Sequence, residues 1–291
     1  MTDSLGKVSA LNAGTVMVGD FHINRLGFGA MRLTGQGVWG AFDDHELAQK
    51  ILLEAIELDV NLIDTADAYG PETSEDLLAE TLAPYDGLVI ATKGGMTRRG
   101  PGIWTADCSP EHLRQACEAS LRRLKLNRID LYQLHTVDKN VPFADSFKAL
   151  LELQKEGKIR HIGLSNIEPE HFEQAMQLGK FVSVQNNYNV FNREHEDVLR
   201  LCEQNNIAFI PYFPVGGGQK DLQHDTVTKV AEAHDATAHQ VALAWLLAHS
   251  PVILPIPGTS SLEHLQDNIA AADLELSAEE LSQLDALAPA S

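Results

Sequence analysis

Residues 129–165 read IDLYQLHTVDKNVPFADSFKALLELQKEGKIRHIGLS and carry the pattern on which the fold prediction rests. A short apolar run, Ile129–His135, precedes a longer amphipathic stretch, and a second short run, Ile159–Ser165, follows it. Most short apolar runs in the chain lack regular polar alternation, which is typical of parallel strands buried on both faces. We therefore predict a strand–helix–strand unit here.

The same unit recurs along the rest of the chain. The remaining candidate strands are Leu26–Met31, Val60–Ala66, Leu88–Lys93, Phe181–Gln185, Ile207–Phe213 and Val252–Ile256. Helical patterns lie between them, and Ser109-Pro110 reads as a helix start with a capping serine and a proline at the first helical position. Eight strands, each followed by a helix, predict an α/β fold, the (β/α)8 or TIM barrel.

Two further elements are predicted near the ends of the chain. Thr15–Val18 and Phe21–Asn24 are typical of an N-terminal β-hairpin, which we place as a plug at the bottom of the barrel. An extra C-terminal helix starts near Ser277. No linker rich in Pro and Ser interrupts the chain, and one barrel typically uses about 250 residues. We therefore predict a single barrel domain over residues 1–291.

Composition excludes several classes of protein. The formal net charge of −19 repels nucleic acids and acidic membranes, and no apolar stretch approaches the length of about 18 residues that a membrane span needs. The three cysteines lack zinc-site spacing, and the N-terminus does not resemble a signal peptide. We expect a cytoplasmic protein that acts on a small molecule, with no metal, nucleic-acid or membrane partner; its oligomeric state is left open.

The first four strands end in groups that suit proton transfer. Active sites of such barrels lie at the C-terminal ends of the strands. The second strand ends near Asp64 with Tyr69 just beyond it, the third ends in Lys93, and the fourth ends in His135. A carboxylate, a phenol, an amine and an imidazole on one rim predict a catalytic group.

The last four strands end in groups of another kind. They are amides, hydroxyls, one aromatic ring and glycines, in the segments Ser165-Asn166, Gln185-Asn186-Asn187, Tyr212–Gly218 and Pro257–Ser261. Glycine-rich backbone and a helix N-terminus bind phosphate through N–H groups and the helix dipole. This half of the rim therefore predicts a site for a large uncharged ring system with phosphates.

At these positions the chain resembles the aldo-keto reductase family, from about Leu26 to Asn268. The motifs that carry the resemblance are Leu26-Gly27-Phe28-Gly29, Ile63-Asp64-Thr65-Ala66 with Tyr69-Gly70, Thr92-Lys93, Asp130–His135, Gly163–Asn166 and Gln185-Asn186-x-Tyr188-Asn189. Within the family it most resembles the bacterial pyridoxal reductases, through Gly29-Ala30-Met31, Phe213-Pro214-x-Gly216-Gly217 and Ile256–Ser261.

The resemblance implies an NADPH-dependent reductase of aldehydes, with pyridoxal to pyridoxine as the preferred reaction. Tyr69 would protonate the carbonyl oxygen as a general acid, and Lys93 would lower the pKa of this phenol. Asp64 would hold Lys93 in place, and His135 would donate a hydrogen bond to the carbonyl oxygen.

The resemblance also implies the cofactor residues. Ser165, Asn166 and Gln185 would hold the carboxamide, Tyr212 would stack on the nicotinamide, and the loop after it would approach the pyrophosphate. The whole predicted cofactor set is Ser165, Asn166, Gln185, Tyr212, Phe213, Pro214, Val215, Gly216, Gly217, Gly258, Thr259, Ser260, Ser261, Asp267 and Asn268.

Two positions depart from the family pattern. Many relatives carry Lys where Gly258 stands and Arg where His264 stands, and both cations usually grip the 2′-phosphate of NADPH. NADPH is the predicted cofactor, with NADH as the alternative, and a lysine introduced at Gly258 is expected to favour NADPH.

Specificity is assigned to the loop around Trp39-Gly40-Ala41-Phe42 and to the loop Met96–Asp107, with Trp39 and Trp104 as the predicted substrate residues. Arg98 and Arg99 are interpreted as residues of a solvated loop rather than as a clamp for an anionic substrate.

Three alternatives stay open at this point. The first is a reductase of broad aldehyde and ketone specificity with the same catalytic group. The second is a nucleotide-binding regulatory subunit with little turnover. The third, a sugar-phosphate site at Gly258–Ser261, leaves Tyr212 and Ser165-Asn166 without a role.

Overall fold

The computed structural model describes residues 8–216, 222 and 224–288. Its strands in chain order are β1 (Thr15–Val18), β2 (Phe21–Asn24), β3 (Phe28–Gly29), β4 (Leu62–Asp64), β5 (Val89–Gly94), β6 (Met96–Gly100), β7 (Ile103–Ala106), β8 (Ile129–Leu134), β9 (Ile159–Ser165), β10 (Ser183–Gln185) and β11 (Ala208–Phe209). Its α-helices are α1 (His45–Glu57), α2 (Thr73–Leu82), α3 (Pro110–Arg123), α4 (Phe143–Lys155), α5 (Pro169–Leu178), α6 (Glu196–Asn205), α7 (Asp225–Ala233), α8 (Ala238–His249), α9 (Leu262–Ala270) and α10 (Ala278–Asp285).

Seven strands form a parallel sheet in the order β11-β10-β9-β8-β5-β4-β3. Neighbouring strands of the sheet are joined through helices, as the strand–helix–strand pattern predicted. The sheet curls into a (β/α)8 barrel, so the predicted fold class is confirmed.

The predicted eighth strand, Val252–Ile256, closes the barrel without forming a regular strand. Phe209 N donates to Val252 O at 2.9 Å and Leu254 N donates to Phe209 O at 2.8 Å on one side. Gly27 N donates to Pro255 O at 2.9 Å on the other side. Because Pro255 has no N–H, the ladder cannot continue through it, and the segment makes isolated bonds instead.

The N-terminal hairpin occupies the bottom of the barrel, as predicted. Its strands β1 and β2 pair antiparallel, and Val18 and Ile23 are fully buried. They pack in one cluster with residues near the start of the barrel strands, including Leu62 and Ala208. The hairpin therefore seals the end of the barrel opposite the predicted site.

The C-terminal helix α10 packs on the outer helical layer. Ser277 caps it, and the side chain of Glu280 returns to the Ser277 backbone in a capping box. Trp245 Nε1, from the buried middle of helix α8, donates to Asp285 Oδ1 at 3.0 Å. The predicted extra helix is present, and the prediction that residues 1–291 form one domain stays a prediction.

A second hairpin, β6–β7, lies at the end of the barrel that carries the predicted site, in the segment Met96–Asp107 that was predicted only as a loop. Met96 pairs with Ala106 and Arg98 with Trp104. The sequence analysis missed the hairpin because its strands are largely polar and exposed. Its turn was detectable, since Pro101-Gly102 is a turn signal and Gly102 has φ +69°. No helix among the described residues is long and apolar enough to cross a membrane.

Candidate active site

Three neighbouring strand ends and one turn bring the predicted catalytic residues together around Lys93. Lys93 lies near the end of β5 and is fully buried. Its Nζ donates to Asp64 Oδ2 at 2.5 Å, to the backbone oxygen of Thr65 at 2.9 Å and to the hydroxyl oxygen of Tyr69 at 3.2 Å. The ammonium group is thus held between a carboxylate and a phenol.

Two amides fix the other oxygen of Asp64. Asp64 Oδ1 accepts hydrogen bonds from Gln133 Nε2 and Gln185 Nε2, both at 2.9 Å. Gln133 is a site residue that sequence reasoning missed. It lies two positions before His135, and alternate strand residues point to the same face, so strand periodicity contained the signal.

Burial sets the charges of this group. Burial alone lowers the pKa of Lys93, but Asp64 and Tyr69 outweigh it, so the pKa lies above its ordinary value and the amine stays charged. Burial raises the pKa of Tyr69, and the charge of Lys93 only partly opposes this effect. The expected influence of Lys93 on the phenol is therefore present, but the net shift is upward and the phenol keeps its proton.

His135 lies beside the phenol on the same rim. Its ring centroid is 5.8 Å from that of Tyr69 and 6.2 Å from that of Trp104, with edge-on geometry in both pairs. Burial, followed by the charges of Lys93 and Arg98, holds the pKa of His135 well below its usual value. A neutral imidazole carries one N–H donor and one acceptor.

A cavity of about 380 Å³ opens above these groups. The predicted residues that line it are Asp64, Tyr69, Trp104, His135, Ser165, Asn166, Gln185, Tyr212, Phe213, Pro214, Val215 and Gly258. Met31, Arg32, Met96 and Thr136 also line it and were not predicted as site residues. Trp39 is not among the described residues that line this cavity. Its ring centroid lies 5.9 Å from Cζ of Arg98.

Asn166 ties the two halves of the rim together. Its Nδ2 donates to the backbone oxygen of His135 at 2.9 Å, and its Oδ1 accepts from the hydroxyl of Tyr212 at 2.8 Å. Asn166 has φ +56°, a left-handed conformation that asparagine tolerates better than most residues. The predicted aromatic residue Tyr212 is therefore anchored to the strand end that carries His135.

A second cavity of about 290 Å³ adjoins the first, and Arg32, Val215 and Gly258 line both. Its other lining residues are Thr237, His239, Thr259, Ser260, His264, Asp267 and Asn268. Ser261 does not line it and instead caps helix α9, accepting from His264 N at 3.3 Å. Gly216 ends the described part of its loop without lining either cavity, and Gly217 lies outside the described residues.

A model of the aldo/keto reductase family matches residues 25–289. The chain belongs to this family. An uncharacterised oxidoreductase of Schizosaccharomyces pombe is 48% identical over 284 residues, covering 98% of this chain and 93% of that protein. Pyridoxine 4-dehydrogenase of Escherichia coli is 42% identical over 284 residues, covering 95% of this chain and 99% of that protein. An aldo/keto reductase of Klebsiella pneumoniae, solved with NADPH, has a TM-score of 0.80 at 28% identity and covers 94% of each chain.

Family membership confirms the resemblance and makes this aldo/keto reductase an NAD(P)H-dependent oxidoreductase. The parts of the chain that the structure describes hold no cluster of three or more His, Cys, Asp or Glu side chains that could bind a metal. The buried donor set of the first cavity consists of an ammonium, a phenol, an imidazole and amides.

Proposed function

We propose that this aldo/keto reductase reduces aldehydes with NADPH, with pyridoxal to pyridoxine as its reaction and Tyr69 as the general acid. The observation that carries the proposal is the position of Lys93 Nζ, 2.5 Å from Asp64 and 3.2 Å from the Tyr69 hydroxyl, beneath one cavity. A buried phenol held by a buried cation is equipped to give up one proton to an adjacent oxygen.

The two adjoining cavities fit a nicotinamide dinucleotide. The first offers the amides of Asn166 and Gln185 and the hydroxyl of Ser165 beside Tyr212, which suits a carboxamide-bearing ring. The second offers the hydroxyl groups of Thr259 and Ser260 just before helix α9, whose N-terminal backbone N–H groups and dipole favour phosphate, and the amide of Asn268 from the last turns of the same helix. A bound, reduced nicotinamide supplies the hydride.

The residues of this chain supply the proton and the geometry. The Tyr69 hydroxyl donates its proton to the carbonyl oxygen of the substrate as negative charge develops there. Lys93 stabilises the phenolate that remains, and Asp64 keeps the Lys93 ammonium charged and in place. Neutral His135 donates a hydrogen bond that orients the same oxygen toward Tyr69.

The second cavity offers the 2′-phosphate of NADPH fewer cationic side chains than many relatives do. His264 lines it where those relatives carry Arg, and Arg32 lines it as well. An imidazole, an arginine and the N-terminus of helix α9 together suit a phosphate monoester. The NADPH complex of the Klebsiella relative supports the same choice.

The first cavity suits a flat aromatic aldehyde. Tyr69, Trp104, His135, Tyr212 and Phe213 give it several ring faces and edges. The 42% identity to pyridoxine 4-dehydrogenase supports pyridoxal in particular. The three cysteines, Cys108, Cys117 and Cys202, are buried and unpaired, which supports a reducing cytoplasmic location.

The test is NADPH oxidation by the purified protein with pyridoxal, beside simple aromatic and aliphatic aldehydes and with NADH as the control cofactor. We expect NADPH-selective turnover of pyridoxal at a higher kcat/KM than of the simple aldehydes. Equal turnover of all aldehydes would indicate a reductase of broad aldehyde specificity in place of a pyridoxal reductase. Tight NADPH binding without any turnover would favour the regulatory subunit.

A further inference from the structure

The side chain of Arg98 joins three backbone segments at the catalytic end of the barrel. Its Nη1 donates to the backbone oxygens of Val38 at 2.8 Å and Ala68 at 3.0 Å, and its Nη2 donates to Gly37 O at 2.7 Å. Its Nε donates to Ile103 O at 3.1 Å across the β6–β7 hairpin. Together with a longer bond from Nη2 to a neighbouring carbonyl at 3.4 Å, these contacts use the five N–H groups of the guanidinium.

Arg98 also covers one face of Trp104. Its Cζ atom lies 3.7 Å from the Trp104 ring centroid, a close cation–π contact. Trp104 meets Tyr69 and His135 edge-on, with centroid distances of 6.4 Å and 6.2 Å, and lines the first cavity. One cation thus braces the indole that stands beside the general acid and the histidine.

The neighbouring Arg99 has none of these contacts among the described residues and is exposed. The prediction that both arginines belong to a solvated loop is therefore wrong for Arg98. The sequence could not distinguish them, because the carbonyl groups that Arg98 binds lie up to 61 positions away in the chain.

We propose that Arg98 is a positioning residue that fixes Trp104 as one wall of the substrate cavity and thereby sets a preference for flat aromatic aldehydes. This proposal rests on the proposed function. The N–H groups of Arg98 are committed to backbone carbonyls, so Arg98 does not clamp an anionic group of the substrate. The substrate class that this wall favours is an aromatic aldehyde.

The physical reason lies in the shape of the guanidinium. It is planar, stays charged and donates along five fixed directions while its face stacks on a ring. A lysine at the same position supplies a point charge with three donors and no flat face. Without the guanidinium, Trp104 gains rotational freedom on the exposed hairpin, and aromatic substrates lose the ordered wall against which they bind.

The experiment compares Arg98→Lys and Arg98→Met with Arg99→Lys and Arg99→Met, which make the same changes one position along the hairpin. We expect the Arg98 variants to raise KM for pyridoxal and benzaldehyde by about tenfold or more. For propanal, which has no ring to place, we expect KM to change by less than about threefold. The Arg99 variants are expected to keep the KM of the parent for each aldehyde.

A double-mutant cycle with Trp104→Ala shows whether Arg98 acts through Trp104. If it does, Arg98→Met adds little to the KM increase that Trp104→Ala causes alone. Urea midpoints and NADPH dissociation constants of each variant identify any general loss of structure. Arg98→Lys keeps the charge and most of the stem, so it provides the second variant if Arg98→Met does not fold.

Three results would overturn the proposal: equal KM increases for propanal and pyridoxal, equal effects of the Arg98 and Arg99 variants, or additive effects of Arg98→Met and Trp104→Ala. Each result can be obtained while the parent enzyme still reduces aldehydes with NADPH. A parent without turnover would instead refute the proposed function, so the two failures are distinguishable.

Discussion

The backbone carbonyl oxygen of Gly29 occupies the space where a Cβ atom on Gly258 would lie. A Cβ on Gly29 would in turn lie 2.7 Å from the backbone oxygen of Ile256. The two glycines thus let the closing segment of the barrel approach the first strand where both line the cavity. A lysine at Gly258 would push this backbone apart, so it is not a usable test of the 2′-phosphate site, contrary to the expectation from the sequence.

His264 offers the better position for that test. It lines the second cavity without serving as the helix cap, and its ring stacks near that of His239 at 6.5 Å between centroids. We expect His264→Arg to tighten NADPH relative to NADH by about tenfold, because a permanent cation adds a charge-assisted hydrogen bond to a phosphate monoester. Fluorescence titration with both cofactors measures the ratio of dissociation constants.

Gln266→Arg provides the control for His264→Arg. It adds a positive charge to the same helix, but Gln266 is exposed, bonds to Glu54 and does not line the cavity. An equal gain in NADPH selectivity from both variants would show that any added positive charge on the helix attracts NADPH, whatever its position. An unchanged ratio in His264→Arg would mean that the 2′-phosphate lies elsewhere.

Removal of the Tyr69 hydroxyl tests the general acid. We expect Tyr69→Phe to lower kcat by about 10²- to 10⁴-fold, the usual size of a general-acid contribution. The NADPH dissociation constant should stay within about twofold, because the hydroxyl takes part in proton transfer and not in cofactor binding. Steady-state kinetics and cofactor titration measure the two quantities.

Tyr85→Phe is the matched control for this substitution. Tyr85 is also buried, and its hydroxyl donates to Leu124 O at 3.0 Å far from the cavity. It should lose some stability and keep its kcat. A Tyr69→Phe variant with the kcat of the parent would assign proton donation to another group.

The activity of the enzyme should have a broad pH plateau. Burial raises the pKa of Tyr69 above its ordinary value of 10.0, so the phenol stays protonated through neutral and moderately alkaline pH. Burial and the nearby cations keep the pKa of His135 well below 6.5, so the imidazole stays neutral above that pH. We expect kcat/KM for reduction to be flat between pH 7 and about 10. A decline centred between pH 7 and 9 would show that Lys93 lowers the pKa of Tyr69 below its ordinary value.

Much of the fold and of the site was predictable because both depend on local patterns. Apolar runs at regular intervals predicted the barrel, and the residues at the strand ends predicted which side chains lie together; their catalytic roles stay predictions. Lys93, Asp64 and Tyr69 meet because parallel strands end on one rim.

The remaining features depend on contacts that the sequence does not contain locally. The net pKa shift of Tyr69 requires knowledge of its burial, since Lys93 and desolvation act in opposite directions. The hydrogen bonds of Arg98 to backbone carbonyls can be recognised only when the positions of Gly37 and Val38 are known. The exclusion of a side chain at Gly258 becomes visible only when Gly29 lies against it.

Asp67 should make the stability of the protein depend on pH. Its Oδ1 is buried without a hydrogen-bond partner among the described residues. Burial and the charge of Glu75 raise its pKa well above 3.8, and Arg123 opposes them only partly. The folded state therefore binds the proton more tightly than the unfolded state, and stability falls as pH rises from the unfolded pKa toward the folded one.

Asp67→Asn, which resembles the protonated carboxyl group, should remove this dependence. We expect its urea midpoint to match that of the parent near pH 4 and to exceed it increasingly at pH 6 and 8. Asp86→Asn makes the same change at an exposed carboxyl group and should show no such divergence. A constant difference across this pH range would mean that Asp67 is charged in the folded protein.

Variants of the Lys93–Asp64 pair should separate the structural role of its charges from their catalytic role. Lys93→Met leaves the Asp64 carboxylate buried beside two amides without its cation, at a cost of about 3–5 kcal/mol in unfolding free energy. Adding Asp64→Asn to that variant removes the stranded charge and should restore most of the stability. The double variant should remain inactive, because Tyr69 then lacks the ammonium group that stabilises its phenolate. Urea unfolding and kcat of the parent, both single variants and the double variant complete a double-mutant cycle. A double variant no more stable than Lys93→Met would show that the stranded Asp64 charge is not what destabilises that variant. A double variant with the kcat of the parent would remove Lys93 from the mechanism.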